Sequence, residues 1–600
     1  MKKILLSITF ALMGIASGFA AKAHTALTTI TQSDGSQLTI RLHGDEHFSC
    51  YSTADNVLLV QVGNNYYVAQ VEEDGTLKAT PQLAHNAGER GTVEEQVINN
   101  QNKEKFLNSL NAEPQALAKP IGTVTPAYFP HTGSPKALVI LVEFQDVKFK
   151  TSDPVATFTH YLKGADGEEA PEANNAYVTK GMVNYGSVSQ YFKDMSQGQF
   201  KPQFDIVGPV TVSKNSAYYG GNTGRTDANF AKMIAEACKG VSDKVNFADY
   251  DLNNDGYVDL VYVIYAGYSE SINGNSSDCL WPKSGTNAFY EPGTNNLLKL
   301  NGKRICRYGI NNELNGTPKN WIEGKPQLNG IGLFCHEFSH TMGLPDLYPT
   351  VETSRVDNQN PEYWDLMDGG EYTYSGYFPT PYSPWEMEVM GWTTPVELGD
   401  EAKQVNLNSY ASDRTTYKIN GKNDEYLLIQ NIQTDGWWRG ITKAYNTGML
   451  VWRIDYPYTT VSLDNRLNNE IGKPNVMIVP ADGYVISAYN VTDDDESKAK
   501  YKASLKADPF PGANNVPELL SVKLNKSTLK KPFYNIKETN GVITFDYLKD
   551  YATGIDQTLA DKDTEKNQSI FSLDGRYLGN DASKLTKGIY IIGKKKVVIK

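Results

Sequence analysis

The segment Phe334-Cys-His-Glu-Phe-Ser-His-Thr-Met-Gly-Leu-Pro-Asp-Leu-Tyr348 constrains this chain more than any other. In a helix, His336 and His340 stand four residues apart on one face, so both imidazoles reach one metal ion, and Glu337 beside them is placed to act as a base. Leu333, Phe334, Phe338 and Met342 supply the apolar surface that buries such a helix. Gly343 permits the left-handed residue that ends it, and Pro345 forbids its continuation. The chain then swings Asp346 back toward the metal as a third ligand. Zinc is the ion that two imidazoles, a carboxylate and an open fourth position select. With only eight histidines in 600 residues, chance is a remote source of this pattern.

Those eight are His24, His43, His47, His85, His131, His160, His336 and His340. None lies beyond His340, so a third histidine ten residues after the first is impossible and a carboxylate must complete the site. Asp346 holds that tenth position, with Glu352 and Glu371 as competing ligands from later elements. Trp364-Asp-Leu-Met-Asp-Gly-Gly370 favours Asp346, because it is similar to the methionine-containing turn under the metal in metzincins and makes Met367 a structural residue of the site. Tyr372 and Tyr374, just beyond, are the candidates for holding an oxyanion.

Further segments agree, in order, with one family. They are Ser187-Val-Ser-Gln-Tyr-Phe-Lys-Asp-Met-Ser-Gln-Gly198, the helix ending in Asp346, the turn at Met367, Pro384-Trp-Glu-Met-Glu-Val-Met-Gly-Trp392 and Gly448-Met-Leu-Val-Trp-Arg-Ile-Asp455. Over most of residues 27–485 the chain resembles the immune inhibitor A family of secreted metallopeptidases. The resemblance implies zinc bound by His336, His340 and Asp346, with Glu337 as the catalytic base and extracellular proteins or peptides as substrates. Arg453 and Lys283 depart from the pattern, standing where the family frequently has histidine. The implied fold is multidomain: an α/β metzincin-like zinc peptidase domain with a β-rich propeptide and C-terminal β-sandwich domains. The alternative is a surface adhesin that keeps the fold with little activity, and an intact Glu337 argues against it, since a binder has no need of that base.

Both ends read as addresses. Lys2 and Lys3 precede an apolar run, Ile4 to Ala16, and the small-residue ending Ala21-Lys22-Ala23, the pattern of an export signal peptide over residues 1–23. Residues 24–130 read as a propeptide, β-rich with alternating apolar runs, then a helical stretch from Val93 to Leu110 and a linker carrying Pro114, Pro120, Pro126 and Pro130. Residues 131–395 form the expected catalytic domain, 396–550 a β-sandwich-like domain, and 551–568 a polar linker. Residues 569–600 resemble the C-terminal sorting domain of the type IX secretion system, which implies that machinery as a partner and a secreted or cell-surface location. The net charge of −12, from 57 basic against 69 acidic residues, excludes nucleic acid as a partner. No apolar run reaches the ~20 residues that span a bilayer, and a monomer is the default state.

Secondary sites are fewer. Asp251-Leu-Asn-Asn-Asp-Gly-Tyr-Val-Asp259 places oxygen ligands at Asp251, Asn253, Asp255 and Asp259 around Gly256, the alternation of a calcium loop, although an Asx-rich turn has the same composition. In the propeptide, Cys50 or Asp45 is the candidate to cap the zinc of a latent precursor. Cys279 and Cys306 are the cysteines placed to pair in an oxidising compartment, and Cys335, beside His336, reads as a core thiol.

Overall fold

The computed structural model describes residues 17–19, 22–24, 26–45, 48–111, 128–164, 184–221, 227–272, 274–276, 278–318, 325–351, 354, 361–456, 467–492, 494–551, 569–572, 576–579, 584–592 and 595–599. Most of the expected signal peptide and both expected linkers, as well as Glu352, lie outside these. The chain forms two compact units, Met1–Leu548 and Lys549–Lys600.

The N-terminal module is a six-stranded antiparallel meander of β1 (Thr28–Thr31), β2 (Gln37–Asp45), β3 (Phe48–Thr53), β4 (Leu58–Val62), β5 (Asn65–Val71) and β6 (Leu77–Leu83). Leu38, Ile40 and Leu42 alternate along β2 and bury one face with Tyr51, Leu59 and Val68. The single helical stretch expected from Val93 to Leu110 is two helices, α1 (Thr92–Asn99) and α2 (Lys103–Asn111). The break frees Gln101, whose side-chain amide accepts from the Leu58 amide at 2.9 Å and donates to the carbonyls of Leu58 and Ala69. A continuous helix would leave those strand groups without that partner.

The next segment is α/β. In order it contains β7 (Lys136–Glu143), α3 (Pro154–Lys163), α4 (Val188–Met195), β8 (Gln203–Thr211), α5 (Phe230–Gly240), β9 (Val261–Tyr265), β10 (Lys283–Thr286), β11 (Arg307–Asn312) and α6 (Ile331–Met342). Strands β8, β7, β9 and β11 run parallel in that spatial order, β10 lies antiparallel beyond β11, and Ser17–Phe19 pairs antiparallel with β10 at the edge. Continuous apolar strands fit a parallel sheet covered on both faces. Ala137, Val139 and Leu141 of β7, with Tyr262 and Ile264 of β9, pack toward α3, α4 and α6. Leu138, Ile140 and Val142, with Val261, Val263 and Tyr265, pack toward α5 on the opposite face. Phe129 is already part of this core: its amide donates to the Thr341 carbonyl at 2.9 Å and its ring meets Phe338 at 5.3 Å. Phe129, two residues before the expected boundary at 131, thus packs in this core.

Beyond α7 (Pro384–Val389), capped by a reciprocal Ser383–Glu386 pair, strands take over. One sheet orders Val396–Glu397, β13 (Tyr417–Asn420), β14 (Glu425–Ile432), β15 (Gly448–Asp455) and β16 (Val476–Ile478); the other orders β12 (Lys403–Leu407), β18 (Val542–Tyr547) and β17 (Phe533–Thr539). Ile419, Leu427, Ile429, Met449 and Val451 of the first sheet share one apolar cluster with Val405, Leu407, Phe533, Ile543 and Phe545 of the second. The second unit carries a four-stranded sheet of Tyr577–Gly579, Ile570–Ser572, Gly588–Ile592 and Lys595–Ile599 in that order. No helix among the described residues is long and apolar enough to cross a membrane.

Candidate metal centre

All twelve residues of α6 are buried. Phe334 and Phe338 lock the helix to the sheet: Phe334 lies 4.2 Å from the Tyr262 ring, and Phe338 packs on Phe192, Phe200 and Phe204. Gly343 ends the helix in the left-handed region at φ 114°, its amide shared between the carbonyls of Ser339 and His340. Two glycines at the helix start are needed for another reason. A Cβ on Gly332 would meet the Glu371 carbonyl oxygen at 2.1 Å, and one on Gly330 would meet the backbone of Gly376 at 2.2 Å. The segment Gly369–Gly376 thus lies directly on the helix backbone.

The sharp reversal after Gly343 brings Asp346 back to the histidines. His336 Nε2 lies 3.1 Å from His340 Nε2, and Asp346 Oδ1 lies 3.3 Å from each. A tetrahedral ion with bonds of about 2.0–2.2 Å sets its ligand atoms about 3.3–3.6 Å apart, so the triangle matches zinc to within a few tenths of an ångström. Among the described residues, these three form the one cluster of three or more metal-competent side chains. The second nitrogen of each ring is engaged: His336 Nδ1 is 3.0 Å from the Leu366 carbonyl and His340 Nδ1 is 2.7 Å from that of Leu344. Those carbonyls accept only from an N–H, which fixes both rings with Nε2 turned toward Asp346.

The turn at Met367 holds the third ligand in place. Its carbonyl accepts from the Leu347 amide at 2.8 Å, next to Asp346, and its amide donates to Asp365 Oδ1 at 2.6 Å. Met367 itself is fully buried. One turn therefore orients His336 through Leu366 and Asp346 through Leu347. Glu371, the competing ligand, is on the other side of His336, its Oε2 4.0 Å from Nδ1. Both of its oxygens are buried without a hydrogen-bond partner. Burial, reinforced by Asp346 and Asp368, pushes its carboxyl up to about 8.

The charge balance invites a cation. Burial works against a charged His336, yet Glu371, Asp346 and Glu337 outweigh it and hold its pKa well above the ordinary value, while burial leaves that of His340 lowered. Burial likewise opposes ionised Asp346, but the two imidazoles hold its carboxyl well below the usual range. Buried carboxylates facing two neutral-capable imidazoles are the donor set that a divalent ion satisfies. Glu337 is buried on the same helix, one residue past His336.

Residues 129–392 match the family model of immune inhibitor A peptidase M6, catalytic domain. The matched segment contains the α/β sheet, the helix α6 and the turn at Met367, and is similar to that catalytic domain. Over 281 residues the chain is 24% identical to the pre-pro-metalloprotease PrtV of Vibrio cholerae serotype O1, covering 42% of this chain and 29% of the relative. Over 323 residues it is 24% identical to immune inhibitor A of Bacillus thuringiensis subsp. alesti, covering 47% of this chain and 44% of the relative. The chain thus spans less than half the length of these curated relatives.

Other expected positions fall elsewhere. In the loop of Asp251–Asp259, the carboxylates serve the loop itself. Asp251 accepts from the amides of Asp255 and Gly256 and from Lys303 Nζ at 2.6 Å, Asp255 from Tyr257, and Asp259 from Leu252. Asn253 accepts from the Asp255 amide. These are the hydrogen bonds of an Asx-rich turn, and the Lys303 ammonium pairs with Asp251. Cys279 and Cys306 are both free thiols rather than a disulfide. Cys50 packs with Leu58, Ala69 and Phe106, and neither it nor Asp45 joins the metal cluster. Tyr374 is exposed, whereas Tyr372 donates to the Lys22 carbonyl at 2.7 Å. The two departures from family histidines carry ion-pair and hydrogen-bond roles: Lys283 pairs with buried Asp227 at 2.6 Å, and Arg453 donates to Asn525. Gly332, the Leu366 carbonyl and Glu371's seat behind His336 were not legible beforehand, although the Gly330–Gly332 pair just before the motif is a usable signal of close backbone approach.

Proposed function

We propose that the chain is a zinc-dependent endopeptidase, exported as a precursor and acting on peptide bonds of extracellular proteins. One observation carries this reading: the 3.1–3.3 Å triangle of His336 Nε2, His340 Nε2 and Asp346 Oδ1, with Glu337 on the same helix. Zinc bound there supplies a Lewis acid that brings the pKa of water near neutrality and polarises the scissile carbonyl. His336 and His340 hold the ion through Nε2, their rings aimed by the carbonyls of Leu366 and Leu344. Glu337 takes the proton of the attacking water on its carboxylate and returns it to the leaving amine. The turn at Met367 beneath the metal ligands and the antiparallel edge of the sheet support a metzincin-like arrangement, and the paired sheets of residues 396–550 support a sandwich appended to it. We further read the C-terminal sheet as the sorting element for type IX export. Activity is tested on casein: the processed protein with one equivalent of zinc cleaves it, a chelator abolishes cleavage, and added zinc restores it. Zinc-loaded, processed protein that cleaves no protein substrate would point instead to a binding role.

A further inference from the structure

The small-residue pattern places leader cleavage after Ala23, yet the structure buries Lys22 and Ala23 immediately before that bond. The Lys22 side chain is 5% exposed and its Nζ pairs with Asp368 Oδ1 at 3.1 Å. The ammonium also lies 4.9 Å from the Tyr489 ring centre and 5.7 Å from that of Tyr348. Burial alone would depress the amine, but Asp368, Tyr489 and Glu362 outweigh it and hold the pKa above its ordinary value. Asp368 and Glu362 flank the Met367 turn, the Glu362 amide donating to Asp368 Oδ2 at 2.7 Å. Around Lys22 the main chain is fastened too. Its carbonyl accepts from the Tyr372 hydroxyl, the Ala23 amide donates to the Gly44 carbonyl at 3.0 Å, and the His24 amide donates to that of Ser271 at 2.9 Å. Ala23 is part of the core of the N-terminal sheet.

A cut after Ala23 would discard the ammonium and the Ala23 contacts and leave buried carboxylates beside the Met367 turn without that counter-charge. Gly18 and Ala20 offer the same small-x-small spacing three residues upstream. We propose that the leader is removed upstream of Lys22, and that Lys22 stays in the exported precursor as the buried counter-cation of Asp368 and Glu362. The proposal rests on the reading of the N-terminus as an export leader.

The test is the first residue of the exported, propeptide-bearing Glu337→Ala chain, read by N-terminal sequencing and intact mass. A start at Ala21 or Lys22, or anywhere between the leader's apolar run and Lys22, is the expected result. A start at Ala23 or His24 overturns the proposal while leaving the export reading intact, whereas an uncleaved Met1 overturns both. A second measurement addresses the counter-cation. In the same chain, Lys22→Met is expected to lower the unfolding midpoint more than Lys201→Met at the surface, and Lys22→Met with Asp368→Asn to lower it less than the sum of the two single changes. Equal effects of Lys22→Met and Lys201→Met would overturn it.

Discussion

Gly332→Ala tests how tightly the metal helix is seated. Gly332 lies in the first turn of α6, one turn before His336, and its missing side chain admits the backbone of Glu371. The added methyl would lie 2.1 Å from the Glu371 oxygen, against 3.4 Å or more for ordinary contact, so helix and segment must separate by more than 1 Å. The obstacle is backbone on both sides, and no rotamer relieves it. Overpacking of this kind costs about 1–3 kcal/mol of stability. Activity falls further, because α6 carries His336, Glu337 and His340 while the opposed segment follows directly from the Met367 turn. A misplacement of about 1 Å costs roughly 100-fold, equivalent to about 2.7 kcal/mol of barrier. The assay is kcat/KM on a fluorogenic peptide together with zinc content and the unfolding midpoint, with Gly399→Ala as control, since a methyl there meets nothing within 4 Å. A Gly332→Ala protein with kcat/KM within threefold of the parent and an unchanged midpoint would refute this seating argument.

Other consequences are equally concrete. Asp346→Ala is expected to lose zinc at stoichiometric loading, whereas Glu371→Gln keeps one equivalent; plasma emission on dialysed protein decides, and the reverse pattern would make Glu371 the ligand. Calcium should leave the unfolding midpoint unchanged, because Lys303 already neutralises Asp251, and a rise of several degrees would contradict that assignment. Burial, with repulsion from Asp251 and Asp255, raises the Asp259 carboxyl to about 6. The folded state therefore holds this proton more tightly than the unfolded chain, so its stabilising contribution is complete below about pH 4 and declines up to about pH 6. Asp259→Asn should flatten that part of the stability profile, measured by denaturant titration from pH 4 to 7.

How much was legible beforehand follows the range of the interactions. The helix carrying His336 and His340, its end at Gly343 and the return of Asp346 depend on local periodicity and backbone preference, and each stands where the residues indicate. The loop of Asp251–Asp259 was ambiguous because calcium ligands and Asx turns use the same residue types, and Lys303, which pairs with Asp251, is remote in sequence. Gln101 splits a helix for strand groups more than thirty residues away, and Lys22 meets Asp368 across 346 positions. Such pairings arise from topology, which no local pattern encodes.

The central claim is that Glu337 moves the proton while His336, His340 and Asp346 hold the zinc. It is tested most directly by Glu337→Gln in the processed protein, comparing zinc content and casein hydrolysis with the parent. The account predicts one equivalent of zinc in both proteins and cleavage in the parent alone, the variant falling by at least a hundredfold. A variant that keeps its zinc and cuts casein at the parent's rate would contradict it.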